Sequence, residues 1–176
     1  AVTTTGTNLF FLQQPGNVVP GAAMAPPVRV RIWDNTGAPL PGVTVSLALC
    51  GPLNPLLPVV ACPALPVGVT LSGTTSAVAD VDGIATFNVL SVSQAASGLT
   101  LRASASSAGV VAAGTSAPFD VLSVTPSFLQ PPSAVLVGAS IAPPVTVQVT
   151  DGTGAVLPGA QVSLTLLTGT GGAVPG

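Results

Sequence analysis

The chain restarts after about two thirds of its length. The run Ala25-Pro26-Pro27-Val28-Arg29-Val30, with Asp34-Asn35-Thr36-Gly37-Ala38-Pro39-Leu40-Pro41-Gly42 and Val45-Ser46-Leu47 behind it, returns as Ala142-Pro143-Pro144-Val145-Thr146-Val147, Asp151-Gly152-Thr153-Gly154-Ala155-Val156-Leu157-Pro158-Gly159 and Val162-Ser163-Leu164. The offset is constant at 117 (143 − 26), without a gap. A fixed period is the mark of one structural unit used more than once, an arrangement that sets reach or builds a surface. The 176 residues then divide into one unit of 117 or so residues, large enough to bury a core, and the opening of a second.

Within the unit the apolar residues alternate. Val28, Val30 and Ile32 share one face of an extended segment and Arg29, Arg31 and Trp33 the other. The second copy tests this register: its inner set is Val145, Val147 and Val149, while its outer set has become Thr146, Gln148 and Thr150. One face keeps its apolar character and the other drifts, as expected of a half-buried antiparallel strand. The next segment places Val43, Val45, Leu47 and Leu49 inward and Thr44, Ser46, Ala48 and Cys50 outward, with turn residues Asp34 to Gly37 between the two. Further strands are expected at 8–14, 68–72, 75–79, 83–90, 99–104 and 117–124, with Ala85, Phe87, Leu99, Leu101, Phe119 and Val121 in the core. Seven to eight short strands with regular turns predict a two-sheet, all-β sandwich.

Charge narrows the function classes. The charged residues are Asp34, Asp80, Asp82, Asp120, Asp151, Arg29, Arg31 and Arg102, with no Lys, Glu, His or Tyr. Nucleic acid is not an expected partner, since phosphate binding needs clustered positive charge. The apolar window from Pro52 to Leu71 is not read as a membrane helix, because Pro52, Pro55, Pro58, Pro63 and Pro66 would each remove a backbone donor. Residue 1 is Ala and no charged leader precedes an apolar run, which reads as a removed signal peptide or as a piece of something longer.

Catalysis is not expected, nor a cofactor: with Asp the only available base, and at turns, neither a hydrolytic triad nor a glycosidase-type carboxylate pair has its parts. Asp80 and Asp82, joined by Asp34 or Asp151, form the one candidate set of hard oxygen ligands, for calcium. The competing reading is that each carboxylate bonds its own turn. Trp33, with Arg29 and Arg31, forms a candidate contact patch for a subunit or glycan; alternatively Trp33 packs as satellite core beneath the loop between Cys50 and Cys62. Those two cysteines enclose eleven residues (51–61), and a disulfide closing so short a loop would stabilise by roughly 3 kcal/mol in the chain-entropy model. Two free thiols are the alternative; a zinc site lacks further ligands.

Taken in order, Gln13-Gln14-Pro15, Pro27-Val28-x-Val30, Asp34-x-x-Gly37, Gly42-x-x-Val45-x-Leu47, Asp82-Gly83-x-Ala85-x-Phe87, Leu99-x-Leu101-x-Ala103 and Phe119-x-Val121 resemble the bacterial immunoglobulin-like repeats that build the stalks of invasin- and intimin-like adhesins. Two features depart from that pattern: Leu99 and Leu101 stand where many such repeats carry an aromatic, and the proline-rich loop between the cysteines looks inserted. The resemblance implies an immunoglobulin-like sandwich over residues 1–123 and the first strands of a second, truncated unit over 124–176. It implies an extracellular role at the bacterial cell surface, as a non-catalytic stalk, filament or sheath, or as an adhesin module recognising a receptor or carbohydrate. Expected partners are further copies of the repeat or neighbouring subunits, and possible ligands on a cell surface.

Overall fold

The computed structural model describes residues 6–52, 62–107 and 110–166; the central loop 53–61 and Leu167, the repeat mate of Cys50, lie outside the described residues. The elements in chain order are β1 (Thr7–Gln13), β2 (Val28–Asp34), β3 (Thr44–Cys50), β4 (Leu71–Ser72), β5 (Ser76–Val78), β6 (Ile84–Phe87), β7 (Ser91–Val92), β8 (Ala96–Ser107), β9 (Val110–Thr115), β10 (Phe119–Val121), β11 (Val124–Gln130) and β12 (Thr146–Asp151). Among the described residues there is no helix, and so none long and apolar enough to cross a membrane. The chain divides into two compact units after Val124.

The first unit is an antiparallel β-sandwich. One sheet has the order β1-β2-β6, the other β10-β8-β3-β5, with β9 also paired to β8 beyond the end of β10. The inner faces are those the alternation marks: Val28, Val30 and Ile32 of β2 pack with Val45, Leu47 and Leu49 of β3, Ala85 and Phe87 of β6, Leu99, Leu101 and Ala103 of β8, and Phe119 and Val121 of β10 in one buried cluster. Arg29 and Thr44 are exposed, as the period of two requires. The chain passes from one sheet to the other before β2. Gln14 accepts the Ala117 N–H through Oε1 (2.9 Å), and Val18 then lies parallel to Val121, donating to the Asp120 carbonyl (3.1 Å) and accepting from the Leu122 N–H (2.8 Å).

The strands expected over 68–72 and 117–124 are shorter, Leu71–Ser72 and Phe119–Val121, and three further differences bear on the core. The segment expected over 83–90 is strand only from Ile84 to Phe87, because Val89 takes φ 55° and ends the extended run; for a β-branched residue that left-handed conformation is strained. The strand expected over 99–104 runs from Ala96 to Ser107 and carries an additional partner, β9. Cys50, placed outward by alternation, is buried: it ends β3 where the chain 62–64 folds back, the Gly51 N–H donating to the Pro63 carbonyl (2.9 Å). Its cross-strand neighbour Thr100 is fully buried on the same face, opposite to Leu99 and Leu101, with its hydroxyl unpartnered.

The second unit repeats the opening of the first. β11 and β12 pair as β1 and β2 do, and Ala25–Pro26 and Ala142–Pro143 are both cis. Burial does not repeat. Phe11, Val45, Leu47 and Leu49 are buried, whereas their mates Phe128, Val162, Leu164 and Leu166 are exposed, Leu47 at 7% against Leu164 at 60%. In the inner set Val149 is buried and Val145 and Val147 only half-buried. The mates of β3, residues 161–166, form no strand. Leu47→Ala is therefore expected to destabilise the chain by roughly 2–5 kcal/mol through the cavity it leaves, while Leu164→Ala leaves the main transition within about 0.5 kcal/mol. Urea unfolding of the two variants checks this; equal losses would mean that the two units bury the same face.

Candidate functional site

The outer face of the β1–β2 pair brings two of the chain's three arginines together with two of its six aromatic residues. Antiparallel register sets Phe10 opposite Arg31 and Asn8 opposite Trp33. The diagonal pair Phe10 and Trp33 meets edge to face, with ring centroids 5.1 Å apart at 85°, and the Arg31 guanidinium carbon lies 6.0 Å from the Trp33 ring centre. Phe10 remains 42% exposed, Arg29 is exposed beside it on the same face, and the Arg31 Nε is buried without a hydrogen-bond partner. Trp33 is thus held by its sheet neighbours and is half-buried, beside exposed Phe10 and Arg29. Phe10 was not among the residues singled out from sequence. The signal was the alternation of β1 itself, in which Phe11 faces inward and so directs Phe10 outward. The patch belongs to the first unit alone: its mates are Ser127, Thr146, Gln148 and Thr150.

The carboxylates are held by the backbone. Asp34 Oδ1 accepts from the Thr36 N–H (2.8 Å), the Thr36 hydroxyl (2.6 Å) and the Ala38 N–H (3.0 Å); Asp151 Oδ1 accepts from Thr153 N–H (2.9 Å), its hydroxyl (2.6 Å) and Ala155 N–H (3.0 Å). Asp80 builds a third turn of the same form, its Oδ1 accepting from the Asp82 and Ile84 N–H groups at 3.0 and 2.9 Å. In each turn a glycine three residues after the Asp takes positive φ, Gly37, Gly83 and Gly154 alike. At Gly83 a side chain would also run into the Ile32 carbonyl. The calcium candidate Asp80 therefore engages its own turn, and among the described residues no three His, Cys, Asp or Glu side chains gather into a metal-sized group. Asp120 Oδ1 accepts the Gly98 N–H (2.8 Å).

Cys50 and Cys62 form a disulfide, with Cα atoms 5.0 Å apart. Buried Ser116 is likewise engaged: its hydroxyl accepts from the Leu101 N–H (2.9 Å) and donates to the Ala117 carbonyl (2.7 Å), bridging β8 to the joint between β9 and β10. Hydroxyl, carboxylate and sulfur in these places all hold backbone. No protein-family model matches the chain, and comparison with characterised proteins finds no match.

Hydrogen bonding holds the Asp34 and Asp151 carboxyls below their ordinary 3.8, foremost from the Thr36 and Thr153 hydroxyls and then from backbone N–H groups, against a partial opposing effect of desolvation. A carboxyl whose pKa falls on folding contributes stability above its unfolded value and loses that contribution as pH drops through the folded value. Stability of the chain should accordingly decline from about pH 5 downward, and Asp34→Asn, which keeps an acceptor but cannot titrate, should flatten part of that decline. Urea unfolding across pH 2–6 on both proteins checks it; parallel curves would remove Asp34 from the account.

Proposed function

We propose that the chain is a structural repeat module of an extracellular bacterial protein, a stalk, filament or sheath of the immunoglobulin-like repeat kind, and that it carries load and sets distance without catalysing a reaction. The observation that carries this reading is the repetition of one turn atom for atom at Asp34 and Asp151, 117 residues apart (151 − 34). A unit made twice from the same hydrogen bonds is what an array requires, and the disulfide suits an oxidising compartment.

The mechanism would be mechanical. Val18 and Val121 lie parallel, so the chain enters along one and leaves along the other at opposite ends of the pair. Tension between the ends of the unit would load the Val18-to-Asp120 and Leu122-to-Val18 hydrogen bonds together, in shear, rather than one after another. Pulling the full chain by its ends should give a distinct unfolding peak, and Val18→Pro, which deletes the N–H donated to Asp120, should lower it. A chain that extends without a peak would overturn the reading.

The Phe10, Trp33 and Arg31 patch favours a second reading, a binding module for an acidic carbohydrate: a ring face for the sugar and a guanidinium for its carboxylate. Trp33 is the only tryptophan, so its fluorescence reports this patch alone. Titration with a polyuronate should shift the emission, and Arg31→Ala should abolish the shift; an unchanged spectrum would remove the binding reading.

A further inference from the structure

The chain carries eight charged side chains, and six are engaged within it. Asp34, Asp80 and Asp151 fasten their own turns, Asp120 takes the Gly98 N–H, Arg31 lies over Trp33, and Arg102 is held as well. Arg29 and Asp82 remain, opposite in sign and both exposed. Among the described residues neither has a partner for its side chain; the Asp82 backbone N–H bonds to Asp80, but its carboxylate takes no part. The two stand at opposite ends of one sheet, β1-β2-β6. Arg29 pairs across to Thr86, whereas Asp82 lies in the turn before β6, next to Gly83, whose carbonyl accepts the Ile32 N–H. The span from residue 82 to residue 86 is about 13 Å at a strand's rise per residue, so the two charges do not neutralise each other within one chain.

We propose that the outer face of this sheet binds a second copy of the chain, Arg29 of one copy pairing with Asp82 of the next. The inference deepens the modular reading above and rests on it, since the partner is the protein itself. Each charge is bordered by apolar surface. Phe10 and Leu12 are 42% and 44% exposed on the strand beside Arg29, and Val81, adjoining Asp82, is 81% exposed. Contact would remove these side chains from water and leave the charges to fix the register, the division of labour usual in an interface. A polyanion would satisfy Arg29 and be repelled by Asp82 at the other end of the same face. A second copy satisfies both.

Because every copy carries both halves of the contact, two copies can close on each other or continue as a row, with the same charge pair in either case. The face is small: three strands about 4.8 Å apart and seven residues long cover about 300 Å². A stable complex buries about 800 Å² on each partner, so one contact is weak and an array gains strength by repeating it.

The test is sedimentation equilibrium of the full chain at up to about 1 mM, the range that a weak contact requires. The chain should self-associate reversibly, and the emission of Trp33 should shift with concentration. Arg29→Glu and Asp82→Arg should each weaken association about tenfold or more by setting like charges across the joint. An equimolar mixture of the two variants should restore it, because every mixed contact then pairs opposite charges. If either reversal unfolds the chain, as urea unfolding would show, Arg29→Gln and Asp82→Asn should each weaken association about threefold. A chain that stays monomeric, association unchanged in the variants, or a mixture no stronger than its components would each overturn the proposal. So would a monomer whose Trp33 emission responds to polyuronate, which would give the face to the carbohydrate. A flat force trace would sink the load-bearing role while leaving the mixing result intact, so the two failures are distinguishable.

Discussion

A strand exists only where another strand takes up its backbone N–H and C=O groups, and this chain displays that constraint by running nearly the same sequence pattern with and without partners. Residues 44–50, set between β5 and β8, are extended, paired and buried on alternate positions; residues 161–166 have the alternation but, among the described residues, no strand beside them, and are neither paired nor buried. Apolar alternation selects which face would turn inward, while the hydrogen-bonding neighbour decides whether there is an inside at all. The tight turn at Asp151, by contrast, closes on itself through three bonds to one carboxylate oxygen and needs nothing beyond five residues. In the second unit the Asp151 turn and the β11–β12 pairing are both made, and residues 161–166 are the described segment left without a strand partner.

That distinction also separates what could be read in the sequence from what could not. The inner residues of β2, β3 and β6 follow from alternation checked against the repeat, and the turns from Asp and Gly at fixed spacing. β9 escaped notice because Val110-Val-Ala-Ala-Gly-Thr115 has little bulk to mark a face; its Gly114 is there for proximity, since an added side-chain carbon would sit 3.0 Å from Leu9 atoms. Cys50 broke the alternation through a covalent constraint twelve residues away, which period alone cannot express. In the candidate site Arg29, Arg31 and Trp33 were legible as one face of one strand. Phe10 was not, because it joins them only through a pairing between strands about twenty residues apart.

The scarcity of charge has a structural counterpart. Asp34, Asp80, Asp120 and Asp151 each accept backbone N–H groups, so these acidic residues act as turn and edge fasteners. An N–H donated to an ionised carboxylate makes a stronger bond than one donated to a neutral acceptor, and it holds geometry without long side chains to order.

The two functional readings draw on different faces of the same unit, and the fold keeps them apart. The Val18–Val121 pairing is a property of backbone direction and would persist through wide change in side chains, whereas the Phe10, Trp33 and Arg31 patch is a property of side chains that the second unit does not carry. In an array whose units share a backbone plan, load-bearing would be common to every unit, and recognition would reside in those whose outer face carries an aromatic and a cation. An array can therefore be mechanical in every copy and adhesive in only some, because the backbone plan that would bear load does not depend on the side chains that would form the patch.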